Sequence, residues 1–415
     1  MRSLHVAIIG YGTAGQAAAI LLSRDGHRVE VFERSAELGP VGAGFLLQPV
    51  GMHVLWEMGL LDEAIAHGAR IDRLYGENAG GRAVMDMRYA GLDPRLFGLG
   101  MQRGALFALM AAAWPEVDTV RRAHRIVGID DGGRRIRDSQ DREFGPYDLV
   151  LASDGSASSL RGSVGAIKLD RPYPWGALWC LLPQAGWQHT AELRQRYVVA
   201  RKMIGMLPVG TRPGDATPRL SFFWSLRTSD FGDWERAGLQ PWRDEIHALW
   251  PQANAQMGDI EGAAQLRRAS YRDAVLHRWS RGRTVLLGDA AHAMSPQLGQ
   301  GVNMALMDAL ALRDALRSEA DIDGAIQRYE GVRRAHVRIY QFWSRWLTPL
   351  FQSDRDAVAR IRDLTFLPLG RVPGGRGQML RVLSGLQRGW FGRLKLPAAF
   401  LDRLSSVPRL TNASG

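Results

Sequence analysis

With 415 residues, 46% of them hydrophobic and 23% charged, the chain has the make-up of a globular protein of two or three domain-sized units, large enough for an enzyme, and not of a disordered or fibrous one. Its one cysteine, Cys180, excludes an internal disulfide and any multi-cysteine metal site; no metal centre is expected, and a reducing cytoplasm is the natural setting. The formal charge of +11 is localised, because residues 331–415 hold 15 of the 53 basic and 4 of the 42 acidic residues, leaving 38 of each sign elsewhere. That distribution argues against a nucleic-acid-binding stripe along the whole chain. An apolar strand begins at residue 4, leaving no room for a signal peptide, and no run of roughly 18–20 apolar residues reads as a spanning helix.

The first element is "LHVAIIGYGTAGQAAAILLSRDGHRVEVFER", a strand, a glycine turn, an Ala- and Leu-rich helix and a second strand. Residues 4–9 are continuously apolar, as in a strand buried on both faces. Gly10, Gly12 and Gly15 stand at G-x-G-x-x-G spacing, which permits a tight turn, close approach to a pyrophosphate and close helix–strand packing. Thr13 and Ala14 open the helix, whose free N–H groups suit a phosphate. Glu33, followed by Arg34, closes the second strand where a carboxylate can accept ribose hydroxyls. The motif predicts a dinucleotide site but does not choose between FAD and NAD.

Further along, 71–90 reads as a hairpin with a Gly-Gly turn, and "PYDLVLASDGSASSLR" at 146–161 is an apolar strand ending in Asp154-Gly155, with Arg161 beyond. Residues 171–277 abandon the strand–helix alternation for half-buried antiparallel strands such as "KMIGMLPV" and "RLSFFWSLR". The next stretch, "RTVLLGDAAHAMSPQLGQGVNMALMDAL", is a buried strand ending in Asp289, a loop through Pro296, Gly299, Gln300 and Gly301, and a helix starting near Val302 and Asn303. This helix lacks a Ser, Thr or Asp cap, so an anionic ligand is expected at its N-terminus. His292 reads as a structural histidine of the loop rather than a base.

Taken together, the G-x-G-x-x-G turn with Glu33, the Asp154-Gly155 segment with Arg161, and "GDAAHAMSPQLGQGVNMALMDAL" closely resemble the single-component FAD-dependent aromatic hydroxylases, the group A monooxygenases of para-hydroxybenzoate hydroxylase fold. The resemblance covers residues 4 to about 330. It implies an α/β chain, α+β overall, with a Rossmann-like FAD-binding domain, an inserted antiparallel substrate sheet and a helical C-terminal region. The implied boundaries are 1–70, 96–170 and 278–330 for FAD binding, 71–95 and 171–277 for the substrate sheet, and 331–415 for the basic helical region. By the same resemblance, Asp289 holds the pyrophosphate and ribityl end of FAD, the Gly299–Asn303 loop lies along the flavin ring, Leu46 to Gln48 line the ring, and Arg103 contributes a further FAD contact. The implied reaction takes electrons from NADH or NADPH and an oxygen atom from O2, through a flavin C4a-hydroperoxide, to a small aromatic, phenolic or quinone-precursor substrate that is free or lipid-linked.

Met206, Phe222 and Trp224 are expected beside Pro296 as the apolar substrate pocket, since 222, 224 and 226 share one strand face. Core packing explains the same residues equally well. Tyr197, Arg201, Arg227 and Tyr271 are candidate polar contacts, and no catalytic base is assigned. In the tail, Ile339, Tyr340, Trp343, Trp346, Leu347 and Leu350 fall on one helical face, and Pro349, Pro368, Pro373 and Pro397 divide the region. "LFQSD…IRDLTFLPLGRVPGGRGQMLRVLSG" is similar to the C-terminal region of ubiquinone-biosynthesis hydroxylases, which are membrane-associated. Two readings stand side by side: peripheral contact with the inner face of the cytoplasmic membrane, or an apolar face packed on the FAD domain with solvated arginines. Alternatives in function are a flavin-dependent halogenase, a polyprenyl reductase, or a catalytically silent flavin- or lipid-binding subunit; no W-x-W-x-I-P element supports the first.

Overall fold

The apolar run after Leu4 forms β1 (His5–Ile9), whose last four residues are buried. In the computed structural model, which describes residues 2–40, 42–370, 372 and 374–409, the glycine turn leads into α1 (Thr13–Arg24) and then β2 (Arg28–Phe32), parallel to β1 with Ile8 opposite Val31. The break expected at Pro373 and the last six residues of the basic tail lie outside the described residues. β3 (Gly44–Leu47) follows, then the hairpin of β4 (Arg73–Asn78) and β5 (Ala83–Arg88), and β6 (Gly98–Gln102), which pairs antiparallel with β3 and runs into α2 (Arg103–Ala112). β7 (Leu149–Ala152) returns to the parallel sheet on the other side of β1.

The chain then leaves that sheet for β8 (Ile167–Pro183), β9 (Glu192–Val198), β10 (Lys202–Pro208) and β11 (Arg219–Arg227), crosses a helical segment that includes α3 (Leu239–Leu249), and comes back along β12 (Arg267–Leu276). These form a seven-stranded sheet in the order β12-β8-β11-β10-β9-β4-β5, which the hairpin joins through a parallel β9–β4 pair. β13 (Thr284–Leu286) re-enters the first sheet, whose order is Ser280–Arg281, β13, β7, β1, β2. Because β13, β7 and β1 are adjacent and parallel, Asp289, Asp154 and Gly10 all leave the sheet at one carboxyl edge, where ligands of open α/β sheets bind.

α4 (Gly301–Ser318) and α5 (Ile322–Phe351) complete this layer, with Asp321 capping α5 by accepting the Gly324 N–H. The tail continues through α6 (Asp356–Leu369) and α7 (Gly375–Leu383) and packs back on the first layer: Phe400 is buried against His53 and Trp56. The expected apolar stripe of α5 divides, with Ile339 and Tyr340 buried while Trp346 is 65% exposed. Among the described residues no helix is long and apolar enough to cross a membrane.

Candidate active site

The glycine turn is shaped by what surrounds it. Gly10 adopts φ +97°, donates its N–H to Phe32 O at 2.8 Å, and a Cβ there would lie 2.6 Å from Ser153 O. A Cβ on Gly15 would fall 2.0 Å from Gly10 O, whereas the same position on Gly12 meets nothing within 4 Å. The turn is therefore closed toward β7 and open outward, beside an α1 N-terminus without a side-chain cap. Glu33 Oε2 accepts the Tyr11 N–H at 2.8 Å and Oε1 the Ser35 N–H at 2.9 Å; the carboxylate pins the turn to the end of β2 and keeps free lone pairs for a ribose. Arg34 is exposed beside it.

At the next two strand ends, protein groups fix backbone and leave acids free. Ser153 donates to Ile9 O at 2.9 Å, and Asp154 accepts the Ser159 N–H through Oδ2 while its buried Oδ1 has no partner among the described residues. Arg161, 1% exposed, spreads its guanidinium over Ala290 O (2.8 Å), Asp289 O (2.8 Å), Ser156 O (2.9 Å) and Asp170 (2.8 Å). It thus clamps the main chain of Asp289 while the Asp289 side chain stays exposed, Oδ1 lying 3.9 Å from the position of a Cβ on Gly301.

The loop before α4 turns through Gly299, at φ +61°, and the helix starts with no side-chain cap. Asn303 serves as a clasp rather than a cap: its Oδ1 accepts the Gln48 N–H at 2.8 Å and its Nδ2 donates to Gly299 O at 3.2 Å and Leu46 O at 3.4 Å. Loop and β3 are held together by that one amide, and Tyr89 donates to Gln48 Oε1 at 2.6 Å behind it. Gln300 donates to Leu383 O at 2.7 Å, so the loop is also tied to α7, while Gln300 Oε1 and Gln297 Nε2 are buried without partners among the described residues. Val302 is half-buried.

Arg103, the first residue of α2, makes no side-chain hydrogen bond or ion pair among the described residues; burial lowers its pKa, and Asp289 and Tyr271 act against that. An unpartnered guanidinium, two uncapped helix N-termini, the open side of Gly12 and the buried orphan amides of Gln297 and Gln300 fit an elongated ligand with a phosphate end and a polar ring. FAD has that form.

The substrate-side expectation needs a correction. Phe222, Trp224 and Met206 are at most 2% exposed, but they pack into the helix-covered core, with Trp242 5.8 Å from the Phe222 ring and 6.2 Å from Trp224. The opposite face of β11 is turned to the first layer, since a Cβ on Gly44 would meet Ser221 at 2.7 Å. That face carries Ser221, whose buried hydroxyl lacks a partner among the described residues, and Phe223, whose ring is 5.1 Å from Trp179. Trp179 donates to the Tyr271 hydroxyl at 3.1 Å. Burial pushes the Tyr271 phenol up to about 12, against the hydrogen bond from Trp179 and the Arg103 charge.

Of the other polar candidates, Tyr197 packs on Phe351 under Arg362, Arg201 pairs with Asp356 at 3.0 Å, and Arg227 pairs with Asp354. Tyr271 is the one that lies within reach of the Arg103 charge. Pro296 opens the one-turn helix before Gly299 and is half-buried.

Sequence reasoning missed a buried charge cluster behind Asp289. Asp308, 0% exposed, accepts the Gly288 N–H and His292 Nε2, each at 2.7 Å, and Arg333 Nε at 2.6 Å. Arg333 also reaches His336, which hydrogen-bonds Gly385 O at 2.9 Å. A lone acid in the apolar run "MALMDALAL" was the available signal. His292 is bound into this cluster, in keeping with a structural role.

Residues 3–339 match the family model described as FAD binding domain. The chain is 28% identical over 369 residues, 88% of its length and 94% of the relative's, to a probable 2-heptyl-3-hydroxy-4(1H)-quinolone synthase, AqdB2, of Rhodococcus erythropolis. It is 30% identical over 348 residues, 83% of its length and 87% of the relative's, to the putative synthase AqdB1 of the same organism. In fold it is similar to Klebsiella pneumoniae HpxO solved with FAD and uric acid, with TM-score 0.78, 22% identity, and 92% of this chain and 97% of that one covered. The chain belongs to the FAD binding domain family and, within it, to the FAD-dependent aromatic monooxygenases of group A.

Proposed function

We propose that this monooxygenase hydroxylates a small planar phenolic or heteroaromatic substrate, of the class of 4-quinolones bearing an apolar substituent, with NADH or NADPH as electron donor. The observation that carries this reading is the face formed by Trp179, Phe223 and Tyr271, an aromatic surface with one polar pair whose Tyr271 lies within reach of the Arg103 charge. The names of the quinolone synthase relatives favour the same class.

Bound FAD supplies hydride acceptance and oxygen activation. In this reading the α1 N-terminus around Gly10, Gly12, Thr13, Ala14 and Gly15, with Arg103, holds the pyrophosphate; Glu33 holds a ribose; and Asp289 holds the ribityl side. Asn303 fixes Gln48, Leu46 and the Gly299–Val302 backbone in one frame, so that the N–H groups opening α4 would be available to hold the flavin and favour negative charge on it. Phe223 and Trp179, packed on each other at 5.1 Å, would help to exclude water from a substrate held there. Tyr271, protonated at neutral pH, donates a hydrogen bond to a ring oxygen or nitrogen of the substrate and does not serve as a base.

The basic tail, on this reading, holds the enzyme at the inner surface of the cytoplasmic membrane, where a substrate with an apolar chain partitions. The test is a panel of hydroxyquinolines, quinolones and phenols, with NADH and NADPH consumption and product mass followed together. A product heavier by one oxygen atom supports the proposal; flavin-loaded protein that oxidises neither donor with any compound refutes it in favour of a silent subunit.

A further inference from the structure

Beyond the strand edge that carries the active site, a cavity of about 440 Å³ opens between β8, β12 and α5. Its walls include Lys168, Arg334, Arg338 and Arg345, and among the described residues no acidic side chain lines it. Two of these cations are engaged, Arg334 with Glu330 at 2.9 Å and Arg345 with Asp273 at 3.1 Å. Lys168 and Arg338 are exposed and have no ion pair among the described residues. Phe342 and Trp346 form the apolar part of the rim.

That rim continues into an aromatic cluster. Phe342 packs on Trp346 (6.1 Å) and on Trp390 (4.8 Å), which lies in the turn of the short hairpin after α7. Trp346, Trp390 and the adjacent Phe391 are 65%, 52% and 96% exposed, values that water alone does not favour for such rings. Exposed Trp and Phe beside uncompensated Lys and Arg have the chemistry of a bilayer interface, where rings enter the headgroup boundary and cations meet phosphates.

We infer that the Trp346–Trp390–Phe391 cluster and the cationic cavity beside it form a docking surface for a bilayer rich in acidic phospholipid, with a headgroup phosphate received between Lys168 and Arg338. The inference rests on the reading of the tail as membrane-contacting and is independent of the substrate assigned above. It also singles out this surface from the other exposed apolar stripe of the tail, Ile361, Leu364 and Leu369 on α6.

The test uses the full FAD-loaded chain sedimented with vesicles of equimolar phosphatidylglycerol and phosphatidylcholine, and with phosphatidylcholine alone. Binding is expected on the acidic vesicles only, weakening as salt is raised. It falls about tenfold both in Trp390→Ser/Phe391→Ser and in Lys168→Glu/Arg338→Glu, and is retained in Ile361→Ser/Leu364→Ser. Flavin content and NAD(P)H oxidation on soluble substrate, measured on the same preparations, stay at the wild-type level and separate this result from any failure of the catalytic reading. No binding by the wild-type chain, equal binding to both vesicle types, or loss only in the α6 variant overturns the inference; the last of these leaves the tail reading standing.

Discussion

The Asp308 carboxylate lies 2.7 Å from the backbone nitrogen of Gly288, twenty residues before it in sequence. Asp308 thereby anchors the start of the loop that presents Asp289, and its second oxygen is held by Arg333 at 2.6 Å from α5. The backbone that presents the site's central acid is thus anchored by a fully buried residue.

Asp308→Asn is therefore expected to cost more than a surface acid would. The change leaves the buried Arg333 charge without its partner, which costs about 3–5 kcal/mol in comparable buried pairs. Urea unfolding gives the stability loss and the absorbance of purified protein gives the flavin content; both should fall. A variant as stable as the wild type would show that Arg333 finds another acceptor.

Acid sensitivity follows from the same cluster. Burial, then the Arg333 charge, hold the His336 imidazole down to about 3, so it stays neutral, donating from Nε2 to Gly385 O and accepting at Nδ1 from Arg333. The unfolded chain takes up this proton near pH 6.5 and the folded one does not, so stability is complete above 6.5 and declines as pH falls toward 3. Burial pushes the Asp308 carboxyl up, but His292 and Arg333 outweigh it and hold it at about 2; its contribution is present above about pH 4 and is lost between there and 2. Thermal midpoints measured from pH 8 downward should start to drop below 6.5, and should do so less in His336→Gln.

Asp289→Ala is expected to purify without its flavin. The Asp289 main chain is clamped by Arg161, so the truncation removes a carboxylate without moving the backbone. A yellow protein with full flavin content, measured by absorbance after gel filtration, would contradict the role given to this acid.

The two faces of β11 should separate in mutagenesis. Phe222→Ala opens a void beside Trp242 and is expected to destabilise by about 3–5 kcal/mol while leaving KM for the organic substrate unchanged. Tyr271→Phe keeps the ring and removes the hydroxyl beside Trp179, so it should leave stability within about 1 kcal/mol and raise KM. Steady-state kinetics and urea midpoints on both variants decide the matter.

Much of the site was legible because it rests on backbone demands. The spacing of Gly10, Gly12 and Gly15, and a helix with no cap before Asn303, are local facts that sequence records directly. The face of β11 was a different matter. All seven of its interior residues are buried, so alternation shows that 222 and 224 share a side but not which side meets the flavin-binding layer. Asp308, Arg333 and His336 come together only through the packing of α4 on α5, a relation that no local pattern encodes. The apolar stripe of α5 was visible, and its division into a packed half and an exposed Trp346 depended on where the tail folds back.

The account as a whole is tested most directly by the origin of the oxygen in the product. Turnover of a reactive hydroxyquinoline or phenol with NAD(P)H under isotopically heavy O2 should give a hydroxylated product that carries the heavy label. Label arriving instead from heavy water, with none from O2, would contradict assignment of the chain as a flavin monooxygenase.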